Sequence, residues 1–266
     1  MASIEVVSAV NNDSVLESNL LRSPDIADGR VPVLLERGRA CAGAAYNAAL
    51  DRASSELVAF VHQDVYLPAG WADRLLRAVR DLEQDAAAKP WGVMGVWGVR
   101  GAGEYAGRVW CTGGNTEHAV AIDRPVEVQS IDEVVIVLRR SSSLRFDERL
   151  PGFHLYATDI VLEARQRGLA TYVFDAPVVH NSRGNPRPVD GMYLQAYRYM
   201  QRKWSHVLPV ETAVVALTRT GWPLYKHLVR RELHLLRVGA THRERDPAPA
   251  RIAARLGYEA GTESRG

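Results

Sequence analysis

The sequence predicts an α/β fold with a mostly parallel central sheet, a small antiparallel insertion and C-terminal helices. Three observations predict it. The run Leu57-Val58-Ala59-Phe60-Val61 is apolar on both faces and ends abruptly in His62-Gln63-Asp64; such a run is a central strand covered on both sides, with its polar end at the sheet edge. Strand-like and helix-like patterns alternate from Ile4 to Leu82, which implies right-handed crossovers and a Rossmann-like sheet. Between Trp91 and Asp132 the alternation gives way to glycine-rich and irregular apolar stretches, the mark of an antiparallel insertion.

The elements follow in order. Ile4 to Val10 reads as the first strand and ends in the polar turn Asn11-Asn12-Asp13-Ser14; Val31 to Leu35 reads as the second, with Glu36-Arg37-Gly38 at its end. An alanine-rich helix over Ala42 to Ala53 leads to the strand at Leu57. Pro68-Ala69-Gly70-Trp71 then opens a helix with Trp71, Leu75, Val79 and Leu82 on one face. Trp91 to Trp97 is apolar, Gly98 to Gly107 is loop, and 108–112 with 127–132 read as irregular or antiparallel strands before an apolar strand over 133–139. Pro151 to Tyr156 leads into a helix from Thr158 to Arg167, stopped by Gly168. A short strand over Thr171 to Phe174 and the segment 177–182 close the section. Helices are expected over 192–204, 209–219 and 223–238. Residues 241–266, rich in Arg, Ala, Pro and Gly, read as a mobile tail with one helical piece at Ala248 to Leu256. The expected organisation is 1–185 as the sheet domain, 186–240 as a basic helical extension and 241–266 as the tail.

With 266 residues and 47% hydrophobic content, the chain can bury the core of one large α/β domain plus an appendage. No stretch is long and apolar enough to cross a bilayer, and Met1-Ala2-Ser3-Ile4-Glu5 lacks the basic and apolar regions of a signal peptide; a cytoplasmic protein is expected. Cys41 and Cys111 offer no metal-ligand spacing and no disulfide framework. The charge is asymmetric. Residues 1–182 hold 18 Lys/Arg against 24 Asp/Glu, and residues 183–266 hold 15 against 7. That basic third suits an anionic membrane face, a phosphorylated acceptor or a partner, or is a solvated helix face. No nucleic-acid partner is expected, and the chain leaves room for a homodimer.

Asp64, at the end of the central strand, is either a ligand for a divalent cation or a cap on the following turn. The chain resembles the nucleotide-sugar-dependent glycosyltransferases of GT-A fold, in the broad family-2-like group. Within that group it resembles the bacterial branch carrying His-Gln-Asp-Val in place of Asp-X-Asp. The segments that carry the resemblance are Ala45-Tyr46-Asn47-Ala48-Ala49, Phe60 to Val65, Phe146-Asp147-Glu148, Gly152 to Asp159 and Val179-His180-Asn181-Ser182, in that order over roughly residues 3–185.

The resemblance implies an inverting transfer of one sugar from a nucleoside-diphosphate sugar to a hydroxyl of a small-molecule, lipid-linked or glycan acceptor. It implies Mn²⁺ or Mg²⁺ held by Asp64 and His180, and Asp159 as the base that deprotonates the acceptor. It places Val10, Asn11, Asn12, Glu36, Tyr46, Asn47, His62 and Gln63 around the nucleotide, and Asp132 and His154 at the sugar or acceptor. Turn chemistry accounts for Asn11-Asn12 equally well. His62 stands where the commoner motif has its first aspartate, which leaves open that cationic side chains rather than metal support the diphosphate. Gln201-Arg202-Lys203-Trp204 faintly resembles the Gln-X-X-Arg-Trp motif of processive synthases with the wrong spacing, so Trp204 reads as a helix anchor and Arg202 and Lys203 as diphosphate or surface charges. A nucleotidyltransferase and a non-catalytic sugar- or nucleotide-binding module are the alternatives; the first would want a glycine-rich basic loop after the first strand, and Asn11 to Ser14 is not one.

Overall fold

The computed structural model describes residues 3–101, 103–184, 189–239 and 243–259. The chain runs through β1 (Ile4–Val10), α1 (Asp13–Ser18), α2 (Pro24–Ala27), β2 (Val33–Arg37), α3 (Ala42–Leu50), β3 (Leu57–Val61), β4 (Val65–Tyr66) and α4 (Trp71–Gln84). Six strands follow: β5 (Trp91–Gly95), β6 (Trp97–Gly101), β7 (Glu104–Cys111), β8 (Thr116–Val120), β9 (Val126–Glu127) and β10 (Ser130–Ile131). β11 (Val135–Arg139), α5 (Tyr156–Gln166), β12 (Ala170–Val173), β13 (Val178–His180), α6 (Gly191–Lys203), α7 (Trp222–Val238) and α8 (Pro249–Arg255) complete it.

The main sheet has seven strands in the order β2-β1-β3-β11-β5-β12-β9. β1 pairs in parallel with β2 and β3, β12 pairs in parallel with β5, and β11 runs antiparallel between β3 and β5. The strands other than β11 and β9 therefore point one way. All five residues of β3 are buried. Its side chains alternate between two cores, Val58 and Phe60 packing with α3 and α5 on one face and Leu57, Ala59 and Val61 with α4 on the other, as the two-residue period of a strand requires. Truncating Phe60 to alanine would cost about 3–5 kcal/mol on this burial.

A six-stranded sheet holds β10-β6-β7-β13-β4, with β8 on β7. It is larger than the insertion expected from 91–132, because β4 and β13 join it from the main body. The helical extension shares the main core: Tyr193, Tyr197, Met200 and Trp204 are packed with Phe60 and Ile136. Tyr193, Ala196, Tyr197 and Met200 are the buried residues of α6, the stripe of an amphipathic helix. Residues 209–219, expected as a helix, are not one; Val210 and Leu217 form an antiparallel bridge instead. Pro209 and the β-branched Val210, Thr212, Val214 and Val215 disfavour helix there. The expectation of a mobile tail fails for 243–259, where α8 and Tyr258 pack on Tyr66, Trp110 and Val179.

Lys203, at the end of α6, is half-buried among carboxylates. Its Nζ lies 2.8 Å from Asp159, 2.9 Å from Asp147 and 3.0 Å from Glu163, and the Trp204 indole N–H donates to Asp159 Oδ1 at 2.7 Å. Burial alone would lower the Lys203 ammonium, but Asp159, Asp147 and Glu163 hold it above its ordinary value. Lys203 is thus a tie between α5 and α6, not a diphosphate or surface charge. Lys203→Ala strands these carboxylates, so urea unfolding is expected to show a loss of about 3–5 kcal/mol. Asp159→Asn, which keeps the shape and one acceptor, should cost clearly less.

Candidate functional site

The carboxyl ends of β1, β2 and β3 open on one edge of the main sheet, the side on which α/β proteins bind ligands. A cavity of about 690 Å³ lies there, lined by Val10, Asn11, Glu36, Tyr46, His62, Gln63 and Asp64, with Asp13, Arg37, Gly38, Arg39 and Phe153. Six of the eight residues expected around a nucleotide line it. Gln63 is the clamp of its floor: its Oε1 accepts the N–H groups of Asn11 and Asn12, each at 3.1 Å. Two residues stay outside. Asn12 caps α1 by accepting Val15 N–H at 3.1 Å, and buried Asn47 donates to Phe146 O and Glu148 Oε1, both at 2.9 Å, while accepting Phe146 N–H. Asn47 pins the 146–148 segment to α3 and is a structural residue.

At one end of this cavity His62, Asp64 and His180 converge. Each offers a ligand atom, and these atoms lie within 4.8 Å of one another, so the cluster can hold a metal ion. His180 comes from β13, whose pairing with β4 sets His180 opposite Val65; its Nε2 lies 3.4 Å from Asp64 Oδ1. Burial would raise the Asp64 carboxyl, but His180 with its hydrogen bond, then His62 and Arg245, hold it well below the usual carboxylate range. Burial would likewise lower His180; Asp64 and then Cys111 push it well above the usual imidazole value. His62 goes the other way, lowered by burial and by His180, and its Nε2 meets Tyr156 Oη at 2.7 Å. One carboxylate and two imidazoles suit Mn²⁺ better than Mg²⁺, which prefers oxygen ligands.

Arg245 is the residue that sequence reasoning missed here. Its guanidinium stands 3.4 Å from Asp64 Oδ2. Asn181 delivers it, donating to Asp246 O at 2.8 Å and accepting Asp246 N–H at 2.9 Å. An asparagine right after a liganding histidine was the available signal.

Across the cluster lies a second cavity of about 670 Å³, lined by His62, His180, Cys111, Asp132 and Glu133 and walled by Trp97, Tyr105 and His118. The Trp97 and Tyr105 rings stack at 5.3 Å and 8°. A smaller pocket of about 160 Å³ shares Asp132 and Glu133 and reaches His154, Thr158 and Tyr193. Both residues expected at a sugar or acceptor thus border this side. Asp132 accepts Val134 N–H at 3.0 Å, and His154, its imidazole lowered by burial, lies 3.7 Å from Asp190.

Asp159 is not in this group. It is 1% exposed, lines none of these cavities and spends its oxygens on Lys203 and Trp204. Three carboxylates line the second cavity, Glu117, Asp132 and Glu133; Glu133 is raised well above its ordinary value by burial and by Asp132, and partly drawn back by the backbone N–H groups of Leu155, Tyr156 and Ala157 at the start of α5. Leu155 has a left-handed backbone (φ 63°), a costly conformation for a branched side chain, and it precedes the turn that presents those N–H groups.

No family model matches the chain. A curated relative, ATP synthase subunits region ORF 6 of Fuscovulum blasticum, is 29% identical over 188 residues, covering 65% of this chain and 71% of its own. Among solved structures the chain is similar to the mannosyltransferase PcManGT from Pyrobaculum calidifontis in complex with GDP-Man and Mn²⁺, at 13% identity and TM-score 0.46 over 96% of this chain and 80% of that one. It is similar to GalNAc-T7 with UDP, GalNAc and Mn²⁺, at 13% identity and TM-score 0.47 over 79% and 52%. A third is TarS of S. aureus, at 10% identity and TM-score 0.45 over 77% and 66%.

A metal ligand must be a neutral imidazole, and Asp64 favours the protonated His180. Mn²⁺ affinity, read by calorimetry, should therefore rise with pH through the elevated His180 value, with proton release on binding. Asp64→Ala and His180→Ala should each abolish it.

Proposed function

We propose that the chain is a glycosyltransferase that moves one sugar from a nucleoside-diphosphate sugar to an acceptor hydroxyl with inversion. The observation that carries the reading is the position of His62, Asp64 and His180 between two cavities, one at the carboxyl ends of parallel strands and one with aromatic walls and the half-buried carboxylates of Asp132 and Glu133. The first suits a nucleoside: Asn11 offers hydrogen-bonding groups to base or ribose, Glu36 is held in ion pairs with Arg39 and Arg52, and the Tyr46 ring lines the same wall. The second suits a sugar and its acceptor, whose C–H faces pack on flat rings such as Trp97 and Tyr105 while hydroxyls meet Asp132 and His118.

An ion held by His62, Asp64 and His180 would supply a Lewis acid for the charge that develops on the diphosphate. Arg245 adds a fixed guanidinium at the same end of the cavity, a group suited to phosphate oxygens. In the displacement, the acceptor oxygen bonds to the anomeric carbon, the bond from that carbon to the diphosphate oxygen breaks with its electron pair, and the hydroxyl proton passes to a base. We assign that base to Glu133 rather than Asp159, because Glu133 borders the cavity and Asp159 is consumed by its ion pair. A carboxylate raised toward neutrality is a better proton acceptor than an ordinary one. Residues 1–185 with α6 would form the catalytic unit, and no helix among the described residues is long and apolar enough to cross a membrane.

A thermal-shift series of nucleoside diphosphates and nucleotide sugars, with and without Mn²⁺, tests the donor site. The true donor should raise the melting temperature in proportion to its occupancy, and silence from every nucleotide at high concentration would sink the proposal. Glu133→Gln should lower the transfer rate by about 10²–10⁴-fold while donor binding persists. The working base is the deprotonated form, so kcat/KM of the unmodified enzyme should fall as pH drops through the elevated Glu133 value, and this acid limb should vanish in the variant.

A further inference from the structure

Large apolar side chains that stay exposed concentrate on α7. Of the eleven such residues among those described, five are Trp222, Tyr225, Val229, Leu233 and Leu236, with Leu236 82% and Trp222 62% exposed. Their steps of three, four, four and three put them on one stripe of the helix. The opposite side is already satisfied, since Leu224 is buried and Leu228 is packed against the main core. The stripe therefore faces away from the protein.

Lys226, Arg230 and Arg237, all exposed, run along one flank of this stripe, about 80° from its centre at 100° per residue. Glu232 is the one acid in the helix. An antiparallel two-fold pair of such helices would set the basic flanks of two copies on the same side, a like-charge contact that opposes association. An anionic bilayer surface satisfies both features: the apolar stripe enters the headgroup and acyl boundary while the flank meets lipid phosphates. Trp222 and Tyr225, at the start of the stripe, are the residue types that settle at that boundary.

We propose that α7 is an interfacial helix that docks this protein on anionic lipid. It lies on the surface and does not span it. This docking is independent of what the site transfers.

Co-sedimentation of the full chain with phosphatidylcholine vesicles containing about one quarter phosphatidylglycerol tests it. Binding should be clear on these vesicles, weak on pure phosphatidylcholine and reduced by added salt. Trp222→Ser with Leu233→Ser should lower the partition coefficient at least about tenfold, and Lys226→Glu with Arg230→Glu should bring it to the level seen without anionic lipid. All four positions are exposed, so an unchanged melting temperature separates lost docking from lost folding. The proposal is overturned if the unmodified protein ignores anionic vesicles or if the stripe variant binds as well as the original. A dimer in sedimentation equilibrium that the stripe variant dissolves, without vesicle binding, would assign the face to a second copy instead.

Discussion

The site depends on a two-residue ladder. β13 pairs with β4 through Val179 opposite Tyr66 and His180 opposite Val65, and the Asn181 N–H continues the pairing to Asp64 O at 2.8 Å. The main sheet supplies Asp64 at the end of β3, the second sheet supplies His180, and this short register is where the two meet. A slip of one residue would turn His180 to the other face of its strand. Asn181 then carries the constraint one step further. Fully buried, it bonds Asn19 and both backbone groups of Asp246, so the same ladder also fixes where Arg245 can stand.

Around that ladder two carboxylates are driven apart. Asp64 is buried with a protonated imidazole and a guanidinium, and stays ionised. Glu133 is buried beside Asp132, and its ionisation is opposed. Groups of one chemical type are thereby set apart, one held as an anion beside cations and one whose ionisation is opposed. Helix α5 gives the contrast its geometry. Its first turn aims N–H groups at Glu133, while Asp159 and Glu163, four residues apart on another face, turn inward to Lys203.

This explains which parts were legible in the sequence. β1, β3, α4 and α6 declare themselves through period and burial, and the cavity at the ends of β1, β2 and β3 follows because parallel strands must end on a common edge. Asp64 and His180 were legible as strand ends. Asp159 misled because a carboxylate in the first turn of a helix looks the same in sequence whether it faces a cleft or a buried ammonium; the Asp159 and Glu163 pair, repeated at four residues, was the available hint of a shared cation. Glu133 was hidden inside an apolar strand reading, since its environment comes from α5 and from Asp132 rather than from its neighbours in the chain. The packing of 243–259 was hidden too. Ile252, Ala253 and Tyr258 are too few to give a periodic signal, and they find their partners Tyr66, Trp110 and Val179 on strands far away in sequence.

Arg245 bears on how strictly an ion is needed. Asn181 and the backbone of Asp246 place the segment that carries Arg245, and its guanidinium ends on Asp64, one of the three side chains that offer metal ligands. Positive charge at this end of the cavity therefore has two sources that meet on one carboxylate, a tethered guanidinium and whatever cation His62, Asp64 and His180 gather. Asp64 is faced at 3.4 Å by both an imidazole whose protonated form it favours and a guanidinium. The segment after α7 thus brings a guanidinium to the carboxylate that follows β3, and the field at that end of the cavity does not rest on the two histidines alone.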